Sequence, residues 1–301
     1  FVDGLYDLEN LGLGKISELM PNTTKFFENG TSFRKHHANA EWTLASFPNI
    51  FTGGYTSGHG FFHPRKNHEI GRGYKGLGQL FHDKNYLTFQ VGGGWRMNPS
   101  YGYIKGFDRT IYKREMDCNT IITEFIENNQ ALGDRDQFVW LNFNELHHFL
   151  KSTPSIISQL ELGYDHLIEK KDKKTKSVFS SYDETKIKIL RTEMKRLDTH
   201  LNVLYQYIDM HYNNNETLIS LVTDHGHGFL DKSNHILSKA RNHIPWYIRG
   251  GGIPEGECFD FTENVDIFRT IVEKCELDCE HILNDGNLPV CLGGVNKRDY
   301  V

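Results

Sequence analysis

The stretch Thr217-Leu-Ile-Ser-Leu-Val-Thr-Asp-His-Gly-His-Gly-Phe229 carries the reading of this chain. Leu218, Ile219, Leu221 and Val222 form a short, nearly continuous apolar run, which reads as a buried strand of a parallel sheet. The run stops at Asp224-His-Gly-His-Gly228, so a carboxylate and an imidazole arrive where the strand ends, beside glycines that let backbone approach closely. Open α/β sheets carry their sites at that edge. An oxygen and an imidazole nitrogen side by side are also a common way to hold a divalent metal. Taken alone, the triplet at 224–226 is equally well explained as a surface turn, so the rest of the chain decides.

Upstream, Ile187, Leu190, Met194, Leu197, Leu201, Leu204 and Ile208 recur at three- and four-residue steps, the pattern of an amphipathic helix over 182–212. It leads straight into the strand and makes one crossover unit. Further strands are expected at 86–91, 138–143 and 244–248, with a strand tail ending at Asp3. Helices are expected at 77–82, 119–129, 264–273, and over 21–30, where Pro21 opens and Gly30 closes. Residues 55–72 and the charged run 169–176 read as loops. This alternation implies one doubly wound α/β domain over 1–301 with a mostly parallel sheet.

The chain has 301 residues and a net charge of -5, which gives no general attraction to nucleic acid or an anionic membrane. No apolar run is long enough for a membrane span. The cysteines at 118, 258, 275, 279 and 291 lack CxxC spacing, which argues against a zinc ribbon; one disulfide among the last four is compatible. Asn22, Asn29 and Asn215 fit the glycosylation sequon.

Four strand ends are expected to carry chemistry: Asp3, Thr43, His147 with His148, and Asp224 with His225. Singly, each has an ordinary structural reading as a cap, a turn or a core hydroxyl. Their order resembles the alkaline phosphatase superfamily, in its sulfatase-like branch. The matching segments are Asp3, Pro21-Asn22 through Asn29-Gly30, Thr52-Gly53 before His59-Gly60, Gly94-Trp95, Gly106-Phe-Asp108 and Asn144-Glu-Leu-His-His148. The series continues with Thr223-Asp-His-Gly226, His243-Ile-Pro245, residues 263–270 and residues 285–293. Counting back ten from Gly53, as the family pattern requires, gives Thr43 as nucleophile. Ser46 is the alternative, because diesterase relatives carry Thr-Phe-Pro-Asn where this chain has Ser46-Phe-Pro-Asn49.

The resemblance implies an alkaline-phosphatase-like fold and a divalent ion, zinc or manganese before calcium or magnesium. It would be held by Asp3, Thr43, Asp224 and His225, with His243 as ligand to a second ion. His147 or His148 would contact a phosphoryl oxygen or protonate the leaving group, and Arg96, His59 and Lys105 would meet the substrate anion. A formylglycine sulfatase needs Cys or Ser in C/S-x-P-S-R; this chain has Thr43-Leu-Ala-Ser-Phe47, and threonine cannot take that route. The expected reaction is therefore hydrolysis or transfer of a phosphate ester through a covalent phospho-threonine. The substrate would be a small molecule or a glycan- or lipid-linked ester. A sulfuric-ester hydrolase and an inactive binding module are the alternatives. The resemblance further implies a longer, extracytoplasmic or membrane-associated parent chain with the family's C-terminal subdomain cut short.

Overall fold

Period-two alternation sorts the strand residues onto two cores. Trp246 and Ile248 join one apolar cluster and Tyr247 between them the other; Leu221 and Val222 divide in the same way. The computed structural model describes residues 1–61, 70, 73–94, 101–114, 116–133, 135–148, 182–232, 238–279 and 285–299. Among these the helices are α1 (Ile16–Leu19), α2 (Pro21–Phe26), α3 (Thr43–Thr52), α4 (Thr56–His59), α5 (Leu77–Asp83), α6 (Cys118–Leu132), α7 (Glu145–His148), α8 (Glu184–His211), α9 (Lys239–Asn242) and α10 (Asn264–Lys274). The strands are β1 (Gly30–Phe33), β2 (His36–His37), β3 (Leu87–Gly92), β4 (Arg109–Tyr112), β5 (Gln137–Asn142), β6 (Ile219–Leu221), β7 (Trp246–Arg249), β8 (Gly256–Cys258) and β9 (Thr262–Glu263).

One sheet has the order β4-β3-β5, all parallel, and another β6-β7-β1-β8; β2 and β9 pair separately in parallel. The N-terminal residues join the two larger sheets. Val2 pairs in parallel with Phe143 just beyond β5, and its N–H donates to the Val222 carbonyl just beyond β6 at 2.9 Å. Helices α2, α6 and α8 supply one core, and α3, α5 and α10 the other, so helices cover both sheet faces. This is the doubly wound α/β arrangement.

Four local expectations are corrected. β6 pairs antiparallel with β7, not in parallel; among the described residues the connection carries a 3-10 turn at Gly228–Leu230 and the single turn of α9 rather than a long crossover helix. Gly30 does not close α2, which ends at Phe26. It opens β1, where a Cβ would run into the Ile248 carbonyl. Thr43 stands at the first position of α3 rather than at a strand end, and His147 and His148 lie on a helical turn rather than on a strand. Cys258 and Cys291 form a disulfide that ties β8 to the C-terminal segment.

Candidate active site at the sheet edge

His225 is 3% exposed, and its Nδ1 lies 2.8 Å from the Gly226 carbonyl. A carbonyl only accepts, so Nδ1 donates to it and Nε2 is the nitrogen turned toward the site. Around Nε2 lie Thr43 Oγ1 at 3.3 Å, Asp224 Oδ2 at 3.2 Å and Asp3 Oδ1 at 3.9 Å. Asp3, Thr43 and Asp224 are themselves buried. His147 joins from α7: Asp3, His147 and His225 each offer a ligand atom within 4.8 Å of the others.

Tight local chain packing creates this convergence. Gly226 donates its N–H to Arg241 and lies so close to α9 that a Cβ would enter the Ala240 carbonyl. Gly4 sits at φ +75°, and a Cβ there would fall 2.8 Å from the His227 ring. Side chains at either position would push apart the turns that carry Asp3 and His225. Arg241 Nη1, 3.7 Å from Glu41 Oε2, ties the segment ahead of Thr43 to α9.

The donor set suits a divalent cation. Asp224 Oδ2 is buried without a hydrogen-bond partner and faces His225 Nε2, an arrangement that a cation would satisfy. Two carboxylates, imidazole nitrogen and a hydroxyl form a mixed oxygen–nitrogen set, more typical of zinc or manganese than of calcium. The first turn of α3 adds N–H groups and the positive end of the helix dipole beside Thr43.

The other expected residues fall elsewhere. His243 directs Nε2 to the Arg34 carbonyl at 2.8 Å and stacks on His37 at 4.9 Å between ring centroids. It is not among the residues that converge on His225. His59 is buried: Phe61 donates its N–H to Nδ1 at 3.0 Å, and Asn49 lies 3.4 Å from Nε2. Burial lowers the His59 pKa to about 4. Lys105 is exposed in the turn before β4. Arg96, together with Trp95 and the basic pair Arg65 and Lys66, lies outside the described residues, and His148 is placed only by its backbone in α7. His227 is held neutral, its pKa lowered to about 3 chiefly by burial and then by His225. Ser46 donates to the Asp224 main-chain carbonyl at 2.6 Å and faces the core. Sequence reasoning missed Asn264, which contacts both groups; an Asn opening α10 was its only local signal.

A family model described as Sulfatase matches residues 9–274, more than half of the chain. The chain belongs to the sulfatase family. A comparison with curated protein sequences found no match. Among solved structures, this sulfatase-family chain resembles a phosphonate monoester hydrolase from Silicibacter pomeroyi, with TM-score 0.71, 14% identity, and coverage of 98% of this chain and 76% of that one. A protein in the alkaline phosphatase superfamily from Vibrio parahaemolyticus follows at TM-score 0.66, 15% identity and coverage of 95% and 67%. A third structure, in complex with its substrate D-glucosamine-2-N,6-O-disulfate, gives TM-score 0.67, 13% identity and coverage of 97% and 78%. The fold is therefore alkaline-phosphatase-like, and the chain is a sulfatase-family hydrolase. Members of the family generally depend on a divalent metal.

Proposed function

We propose that this protein cleaves phosphate esters with Thr43 as nucleophile, through a covalent phospho-threonine. The observation that carries the reading is the Thr43 hydroxyl, 3.3 Å from His225 Nε2 in a buried pocket shared with two carboxylates. Thr43 is not convertible to formylglycine, which favours phosphoryl over sulfuryl transfer. Asp3, Asp224 and His225 would hold a divalent ion that lowers the Thr43 hydroxyl pKa and neutralises charge on the phosphoryl oxygens. Thr43 Oγ1 would form the bond to phosphorus while the bond to the departing alcohol breaks. The N–H groups of the first α3 turn would face the equatorial oxygens, where negative charge concentrates. His147, half-buried and close to Asp3 and His225, would pass a proton to the departing alkoxide. Water attack at phosphorus would then release Thr43.

The test is to supply zinc or manganese with a phosphodiester, a phosphomonoester, a phosphonate monoester and a sulfate ester, quench, and map the modified peptide by mass spectrometry. Phosphorylation of Thr43 is expected, with Thr43→Ala losing turnover roughly a thousandfold or more. Phosphorylation of Ser46, or turnover of the sulfate ester alone, would refute the reading.

A further inference from the structure

Four side chains behind the candidate site form a fully buried hydrogen-bonded chain. His36 Nδ1 lies 2.9 Å from Thr262 Oγ1, and His36 Nε2 lies 2.9 Å from Asn264 Oδ1. Asn264 Nδ2 lies 2.9 Å from Ser46 Oγ and 3.3 Å from the Asp224 carbonyl, and Ser46 Oγ lies 2.6 Å from that same carbonyl. His36, Ser46, Asn264 and Asp224 are all 0% exposed, and Thr262 is 1% exposed.

The carbonyl fixes every proton in this chain. It accepts only, so Ser46 donates its hydroxyl hydrogen to it, and the Asn264 NH2 group must also face it. Ser46 then accepts from Asn264. Asn264 Oδ1 consequently points at His36 and accepts from Nε2–H, which leaves His36 Nδ1 to accept from the Thr262 hydroxyl. All the donors run in one direction, from β9 through β2 and α10 to the Asp224 peptide. Burial supports the neutral imidazole this requires, lowering the His36 pKa to about 3.

We infer that His36, Asn264 and Ser46 are positioning residues, a relay that sets where Asp224 and Thr43 stand relative to each other. Two donors hold the Asp224 carbonyl, which fixes the peptide between Asp224 and His225 and thus the direction of both side chains. Ser46 is one turn from Thr43 on α3, so the same contact sets the rotation of the nucleophile's helix. The inference rests on the proposed role of Thr43 and Asp224 but concerns geometry that exists before any ion binds.

The experiment compares Ser46→Ala, Asn264→Ala, His36→Gln and His36→Phe with the unaltered protein. Zinc affinity, kcat and KM for a phosphodiester, and amide exchange of Gly226 and His227 in zinc-free protein are measured, with circular dichroism confirming folding. Ser46→Ala and Asn264→Ala are expected to weaken zinc binding roughly 10–100-fold and to lower kcat with KM little changed. Their Gly226 and His227 amides should exchange faster. Glutamine places an N–H donor near the Nε2 position, so His36→Gln should stay close to the unaltered protein while His36→Phe follows Asn264→Ala. The relay is overturned if Ser46→Ala leaves both zinc affinity and amide exchange unchanged, or if His36→Gln is as damaging as His36→Phe. Because exchange is read without zinc, a protein that binds no zinc at all would refute the metal reading and still judge the relay.

Discussion

Asp224 faces three ways. Its main-chain carbonyl accepts from Ser46 and Asn264, and Oδ1 accepts the Gly4 N–H at 3.2 Å. Oδ2 lies 3.2 Å from His225 Nε2. Asp224→Asn tests the ligand role of this side chain. The change removes one negative ligand and should abolish stoichiometric zinc binding, with turnover lost alongside. Elemental analysis after zinc loading and dialysis, with turnover assayed on the same sample, checks this. A variant that keeps one equivalent of zinc would strike Asp224 from the ligand set. The places of Asp224 shortly beyond β6 and of Asp3 just after the Val2 bridge were readable from residue type and local pattern. The facing of Ser46 was not, because a serine in a helix looks the same on paper whether its hydroxyl points to solvent or to a carbonyl 178 residues away.

The segment after Pro21 shows what an element's sequence can and cannot announce. Pro21 at the start of α2 and the periodic apolar face of α8 were both legible, since helix signals are local. Their joint was not. Asp198, 1% exposed on α8, accepts from Asn22 N and Nδ2 at 2.9 Å, from Thr23 N at 2.8 Å and from Thr23 Oγ1 at 2.6 Å. A carboxylate from a distant helix thus caps α2 at its positive end. Asp198→Ala should cost about 2 kcal/mol, because the buried Thr23 N–H and the half-buried Asn22 N–H lose their acceptor. Urea unfolding measures the loss, and zinc affinity per folded molecule should be unaffected. A midpoint within error of the unaltered protein would show that water replaces the carboxylate at no cost. The antiparallel setting of β7 escaped for a related reason. Its apolar residues fit either direction, and only the connection through α9 decides.

The fold as a whole keeps several imidazoles out of water and neutral, and this makes its stability depend on pH with a definite sign. Burial lowers the pKa of His36 to about 3 and that of His59 to about 4; His37 also falls to about 4, by burial and then by the charge of His243. An unfolded chain would protonate these rings near the usual 6.5. Between pH 6.5 and the folded values the unfolded state therefore binds more protons, so stability rises with pH across that window and is lost as pH falls through it. Above 6.5 these groups contribute no slope. For His36 alone, going from pH 7 to pH 5 should cost about 2 kcal/mol. The melting temperature of the zinc-free protein should accordingly fall on acidification from pH 7 to pH 5 and change little between pH 7 and pH 8. His36→Gln, which retains a donor toward Asn264 without a titrating ring, should lose part of that acid sensitivity while leaving the plateau close to its original height. If melting temperature against pH ran parallel in the two proteins, His36 would have to be protonated in the folded state, and the direction of the chain from Thr262 to Asp224 would be wrong.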